Sequence, residues 1–291
     1  MPTAKLDEAS LLEALERARD DDARSTQVAT LALTLASHHR TSGDRQQAWS
    51  FYLEAEQACA ATGDLNGALE AAVQLSQMAL ESGDGHEAVR WSKRALVHGD
   101  TIMAHERRAR LLHNLAVAHT HLEEPEHALD GYRRAMHHWG STSNNVGRRS
   151  SLIGQGALLL EKGAPAQAAG ALLASLAASQ TGTGQIDMPL EATRAELLAQ
   201  ALIDCNHQTL ARKPLQQAIH VWKDLDRPGE HRRAALALAS ALLESAADEA
   251  SLQAGIDASR QFANLSRAAG GADGVVHGRW LVAGALEAHG H

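Results

Sequence analysis

One kind of turn, repeated at one spacing, constrains this chain more than any other feature. Ser42-Gly43-Asp44, Thr62-Gly63-Asp64 and Ser82-Gly83-Asp84 set their glycines 20 residues apart. Glycine takes the left-handed conformation that ends a helix without the clash a Cβ would bring. The aspartate after it can accept a hydrogen bond from the free N–H groups that open the next helix. Glu87, three residues after Asp84, adds the second half of a capping box. Later turns change the device but keep the place. Pro125 and Pro165 fall where the first residue of a helix belongs, a position that needs no N–H. The spacing therefore predicts helices of about 15 residues joined by tight turns.

Composition agrees. The 291 residues hold 57 Ala and 40 Leu against 16 Ile plus Val. Ala and Leu lead the helix scale, while β-branched residues favour strands. With six Pro and 3% aromatics, the balance predicts an all-α protein and disfavours a β sandwich, a collagen-like fibre or a disulfide scaffold.

A longer period lies over the first. Ala48, Ala88, Ala128 and Ala168 stand 40 residues apart. Ala55, Ala95, Ala135 and Ser175 follow them, and Ala36, Ser76, Ala116 and Gly156 precede them. After a slip of three residues, Ala211 and Ser251, Ala218 and Ala258, and Ala199 and Ala239 continue the three sets. All 18 positions are Ala, Ser or Gly. Two helices of a hairpin approach closely only where side chains are small, so the register predicts six helix-turn-helix units.

This pattern resembles the tetratricopeptide repeat (TPR), whose first helix carries Leu and a small residue and whose second carries Ala and aromatic positions. Leu35-Ala36, Ala48, Tyr52 and Ala55 match it, as do Leu112, Asn114-Leu115-Ala116, Ala128, Tyr132 and Ala135. The resemblance covers residues 24–262 and is strongest in the first and third units. His39 and His119 stand where the family has Tyr, the usual Pro after the second helix is missing, and the period is 40 rather than about 34. Long-period units of this kind are similar to those of kinesin light chains and bacterial regulators. HEAT and armadillo repeats share a period of about 40–47, but the small-residue register and the Gly-Asp turns favour the tetratricopeptide reading.

The resemblance implies a single right-handed α-solenoid over 1–291. Its units run 24–62, 64–100, 103–140, 148–180, 188–226 and 230–268, with capping helices at 6–19 and 272–288. Leu11, Leu12 and Leu15 mark the buried side of the first cap, which Asp20-Asp21-Asp22 breaks or caps. Val275–Leu286, with Trp280, forms the solvent-facing second cap. Gln180–Gln185 reads as a bend or a longer turn. Pro214 leaves the second helix of the fifth unit either kinked or short. Trp49, Trp91, Trp139 and Trp222 fall on second helices and read as space-filling between units.

Charge and motifs bear on function. Net charge is −8 and no segment carries a basic stripe, which disfavours nucleic acid. No run reaches the ~20 apolar residues of a membrane helix, and no signal core opens the chain. A cytoplasmic setting follows, and 22 Arg against 5 Lys suggests a GC-rich bacterial genome. Cys59 and Cys205 read as buried small hydrophobes. No phosphate loop, His-Glu-x-x-His or Cys-x-x-Cys is present, and Gly154-x-Gly156 lies within helix, where close packing explains it. His113, His119 and His121 step by 6 and 2 on one helix and cannot share an ion, so neither metal nor cofactor is expected. His39 and His119 are expected to pack between helices with one ring nitrogen bonded.

The resemblance also implies where a partner binds. One stripe of each first helix meets the second helix, and the opposite stripe lines the concave surface. By register the stripe holds Thr30, Leu33, Ser37 and Arg40, then Glu70, Val73, Gln77 and Leu80. It continues with Arg110, His113, Val117 and Thr120 beside Asn114, and with Ser150, Ile153, Ala157 and Leu160. Thr193, Glu196, Gln200 and Ile203, and then Arg233, Leu236, Ser240 and Leu243, complete it. Arg110, Asn114 and Arg40 match in part the cation and Asn set with which chaperone-binding members hold a terminal carboxylate. The function read from these residues is a non-enzymatic scaffold binding a protein or peptide in its groove, with a homodimer through the terminal repeats as a possible assembly. A peptide- or ligand-sensing regulatory domain is the alternative, and an enzyme a distant third.

Overall fold

A computed structural model describes residues 8–22, 25–180 and 187–289. Among these the regular structure is all α: fourteen helices follow one another in sequential antiparallel pairs. Helix α1 (Glu8–Asp22) precedes the first pair, α2 (Thr26–Ser42) with α3 (Arg45–Thr62). Then come α4 (Leu65–Ser82) with α5 (Gly85–His98), and α6 (His105–His121) with α7 (Pro125–Trp139). The next pairs are α8 (Asn145–Glu161) with α9 (Pro165–Gln180), and α10 (Met188–Asp204) with α11 (Gln208–Asp224). The last pair is α12 (Pro228–Glu244) with α13 (Glu249–Ala268), and α14 (Ala272–Ala288) follows it. The helices gather into two compact units, one ending at Ser151 and the other beginning at Leu152. Residues 181–185, expected to form a bend or turn, lie outside the described residues. No helix among those described is long and apolar enough to cross a membrane.

In the first unit the turns follow the chemistry of their residues. Gly43, Gly63 and Gly83 adopt φ of 87°, 74° and 78°. Asp44, Asp64 and Asp84 then accept from the backbone N–H of Gln47, Gly67 and Glu87 at 3.1, 3.0 and 3.0 Å. The capping box at Asp84 is only half made: the Glu87 carboxylate turns to Arg90 and to Trp91 Nε1, each at 2.9 Å. A salt-bridged carboxylate with an indole donor outcompetes one backbone N–H. The left-handed seat persists where glycine is absent, at Glu123 (φ 56°) here and at Asn206 (60°) and Asp226 (53°) in the second unit. Each costs about 1 kcal/mol relative to glycine. Helix α1 runs through Asp20–Asp22 instead of breaking there. Ser25 caps the start of α2, its hydroxyl oxygen accepting from Val28 N–H.

The small-residue register is the packing surface. Ala36, Ser76, Ala116, Ala48, Ala88, Ala128, Ala55, Ala95 and Ala135 are all 0% exposed. A Cβ on Gly131 would sit 2.9 Å from Ala116 Cβ, which is how closely α6 and α7 approach. Around these seats pack Leu35, Leu69, Leu75 and Leu112, with Trp91 and Trp139 buried and Trp49 edge-on to Trp91. Besides its own partner, α2 also touches α4 and α4 touches α6. Within this unit, first helices therefore meet first helices.

The second unit shows the same logic with one shift. Ala168, Ser175, Ala199, Ala211, Ala218 and Ala239 are fully buried, and a Cβ on Gly156 would meet Leu172 Cγ at 2.7 Å. Ser251 and Ala258, the last members expected from the register, are only half-buried. The buried seats of α13 are Leu252 and Ser259, each one residue later. The cause is the connection: four residues separate α12 from α13, against three between α10 and α11. Leu252 thus stands 13 residues after Ala239, where 12 separate Ala199 from Ala211. Pro214 lies inside α11, which runs unbroken from Gln208, so the short-helix alternative is excluded. Trp222 is buried, whereas Trp280 on α14 is 76% exposed.

Candidate interaction groove

In the first unit, α4, α6, the end of α7 and the start of α8 enclose a groove of about 460 Å³. From α4 come Val73, Gln77, Leu80 and Glu81, and from α6 Arg107, Arg110, Leu111, His113 and Asn114. Trp139 closes one side, with Asn144, Val146, Gly147 and Ser150 beyond it. The structure thus brings together Val73, Gln77, Arg110, His113 and Asn114, all expected from the stripe. It adds Trp139, Asn144 and Val146, which no first-helix stripe includes.

The charges of the groove are unequally satisfied. Arg40, expected as a groove cation, is bound by Glu81 through two bonds of 2.8 and 2.6 Å. Arg40 holds the Glu81 carboxyl below the usual carboxylate range, and Gln77 and Arg45 add to the pull. Arg107 is paired with Glu70. Asn144 is spent twice, accepting from Gly147 N–H at 3.0 Å as the cap of α8 and donating to Glu106 at 2.8 Å. Arg110 is exposed and Asn114 half-exposed, one turn apart. Among the described residues neither has a protein partner for its side chain.

His113 is not the solvated groove residue that the stripe suggests. Its Nδ1 lies 3.0 Å from Ser151 Oγ, and its ring meets Tyr132 edge to face with centroids 5.6 Å apart. Ser151 donates to the Gly147 carbonyl at 3.1 Å and accepts from Trp139 Nε1 at 3.1 Å. With its one proton spent, Ser151 can only accept from His113, so Nδ1 carries the imidazole hydrogen. Burial pushes the His113 pKa down to about 4.

That shift has a measurable sign. Unfolded, His113 titrates near ~6.5. As pH falls below that value the unfolded chain binds a proton that the folded imidazole refuses until about pH 4, so stability is lost through this window. Between pH 7.5 and 5 the loss is about 2 kcal/mol. Unfolding free energies of wild type and His113→Gln at the two pH values should show wild type losing that much more. Equal losses would mean an imidazole titrating as it does in water.

The other expected positions scatter. Leu33 packs partly against the core, Ser37 is exposed beside the Tyr52 hydroxyl, and Thr120 donates to the Ala116 carbonyl at 3.0 Å. Val117 is half-buried outside the groove lining. Ile153 is 5% exposed, a core residue of the second unit. Glu196 and Gln200 line a separate hollow of that unit, where Arg233 donates to Glu196 at 2.7 Å and Gln200 to Asp204 at 2.7 Å. Cys59 is buried, which raises its thiol to about 11, and Cys205 is half-buried at the end of α10. His39 stacks on Phe51 with centroids 5.4 Å apart, and His119 Nδ1 lies 2.6 Å from Glu124. Among the described residues two groups bring metal-type donors together, Glu8 with His38 and His39, and Glu124 with His119 and His127.

Comparisons with known proteins bear on the fold. No family profile matches the chain, and no curated protein sequence matches it. Among solved structures it is similar to BtubC (BKLC) from P. vanneervenii, at 18% identity and a TM-score of 0.60 over 75% of this chain and 91% of that one. It is also similar to MamA of Desulfovibrio magneticus RS-1, with 18% identity, TM-score 0.52 and coverage of 69% and 96%. YrrB, described as a TPR protein with an unusual peptide-binding site, matches at 18% identity and TM-score 0.52 over 72% and 93%. At such identity these likenesses speak of architecture alone, and the chain has the fold of tetratricopeptide-like repeat proteins.

Proposed function

We propose that this chain is a non-catalytic interaction module, and that the groove of its first unit binds an extended segment of a partner protein carrying a carboxylate. The observation that supports this reading is the pair Arg110 and Asn114. They are the groove's polar side chains without a protein partner, one turn apart on α6, while Arg40 and Arg107 are neutralised by Glu81 and Glu70. A guanidinium answers a carboxylate, and a carboxamide can both donate to and accept from peptide backbone. Val73, Leu80 and Val146 supply apolar surface for the neighbouring side chains. YrrB, of the same fold, is described by its peptide-binding site. The reading carries with it a long-period array in a bacterial cytoplasm. It also carries self-association through the terminal repeats, for which α14 exposes Val276 and Trp280.

A peptide array probed with the full chain, followed by anisotropy titration of the bound sequences, tests the groove. Bound peptides are expected to share an acidic side chain or free C-terminus beside apolar residues. Arg110→Ala should weaken them roughly 10- to 100-fold, the worth of a charge-assisted hydrogen bond of about 1.5–3 kcal/mol. Asn114→Ala should weaken them less. Peptides that keep full affinity for both variants would place binding elsewhere.

A further inference from the structure

The equivalent turns of the three helix pairs in the first unit differ in one respect that their capping role does not explain. Steps of 40 residues align His39, Asp44 and Gln47 with Ala79, Asp84 and Glu87, and with His119, Glu124 and His127. In the first two pairs the acidic residue caps the second helix, its side chain accepting from the N–H of Gln47 or Glu87. In the third, Glu124 occupies the cap position of α7 but makes no side-chain cap hydrogen bond. Its carboxylate turns instead to two imidazoles. His119 Nδ1 lies 2.6 Å and His127 Nδ1 3.6 Å from the same oxygen, Oε2. The two rings stack with centroids 5.1 Å apart.

We propose that His119, Glu124 and His127 form a binding site for a divalent transition-metal ion of the zinc class at the α6–α7 turn. Two imidazole nitrogens and one carboxylate oxygen are a donor set that zinc accepts. All three donor atoms lie within 4.8 Å of one another. Bonds of about 2.0–2.1 Å in tetrahedral array place donors about 3.3 Å apart. The His127-to-Glu124 separation of 3.6 Å is already near that value, and the His119-to-Glu124 contact opens by less than an ångström to reach it. His119 is buried at the end of α6 and fixes one ligand, while Glu124 and His127 remain open to solvent for entry of the ion. Glu124 is ionised at neutral pH, as any accessible glutamate is, so it offers a carboxylate. A water can take the remaining position. Steps along α6 alone hide this set, because two of its members belong to the cap and first turn of α7.

Titration of the full chain with Zn²⁺ by calorimetry, and with Co²⁺ by visible absorption, tests the site. Wild type is expected to bind Zn²⁺ with a Kd on the order of 10 µM or tighter, and Co²⁺ should develop the intense bands of four-coordination. Loss of an outer-shell partner alone costs roughly 10- to 100-fold, so His127→Ala and Glu124→Gln should each weaken Zn²⁺ at least about tenfold. Both positions are exposed enough to substitute without unfolding, and circular dichroism checks this. His38→Ala, which disrupts the Glu8, His38 and His39 group, should leave the affinity unchanged. A wild type without this affinity, a tight site that survives both His127→Ala and Glu124→Gln, or one abolished by His38→Ala, overturns the proposal.

Discussion

Replacing Trp139 by Ala is expected to cost about 4 kcal/mol of stability and to abolish the groove. The side chain is 2% exposed, ends α7, and packs with Ala109, Leu112 and Ala135. The α8 backbone approaches the indole at Gly147 so closely that a Cβ there would overlap the ring. Its Nε1 donates to Ser151, the hydroxyl that also accepts from His113. Truncation leaves a cavity, takes one of its donors from Ser151 and removes one wall of the groove. Denaturant unfolding of Trp139→Ala and Trp139→Phe checks this. Phe keeps ring bulk and loses one hydrogen bond, so it should cost about 1–2 kcal/mol. A loss below about 1 kcal/mol in the Ala variant would mean that the ring is not part of the core.

Arg94→Ala is expected to destabilise by about 2–3 kcal/mol, out of proportion to a residue whose own side chain is half in water. The reason lies in its partner. Glu56 is 1% exposed on α3, and Arg94 of α5 binds both its oxygens, with Nη2 at 3.0 Å from Oε2. His98 Nε2 lies 2.6 Å from Oε1. Without Arg94, one oxygen of a buried carboxylate has no partner, and desolvation is no longer offset. The double variant Glu56→Met, Arg94→Met removes the charge along with its partner and should recover most of the loss. Thermal melts of the single and double variants at neutral pH decide it. If the double variant is as unstable as Arg94→Ala, the deficit is packing by the arginine stem rather than a bare charge.

Local rules made much of this molecule legible. A glycine able to adopt positive φ, followed by an aspartate, specifies a helix end and a helix start within a few residues, and all three such turns form as their chemistry requires. Small residues at fixed spacing mark the seats of hairpin packing because only they admit close backbones. The rule failed at α13, where one extra loop residue advanced the register from Ser251 and Ala258 to Leu252 and Ser259. Such a shift is invisible to spacing counted across a loop of unknown length.

The groove was half legible, and its missing half has one cause. Register along α4 and α6 named Val73, Gln77, Arg110, His113 and Asn114, since residues on one stripe of one helix are neighbours whatever surrounds them. It could not tell that Arg40 is neutralised from 41 positions away by Glu81, or that Ser151, 38 positions on, holds His113. Nor could it show that Trp139 turns from a spacer between pairs into a wall, or that Ile153 is core. The His119, Glu124 and His127 group escaped for the same reason, since its members straddle a turn. The order of the sequence by itself determined helices, turns and pairing, because these depend on interactions within a few residues or one hairpin. Only the tertiary structure decided which charges are spent and which remain free, because those partners meet through packing between repeats, and no local period records it.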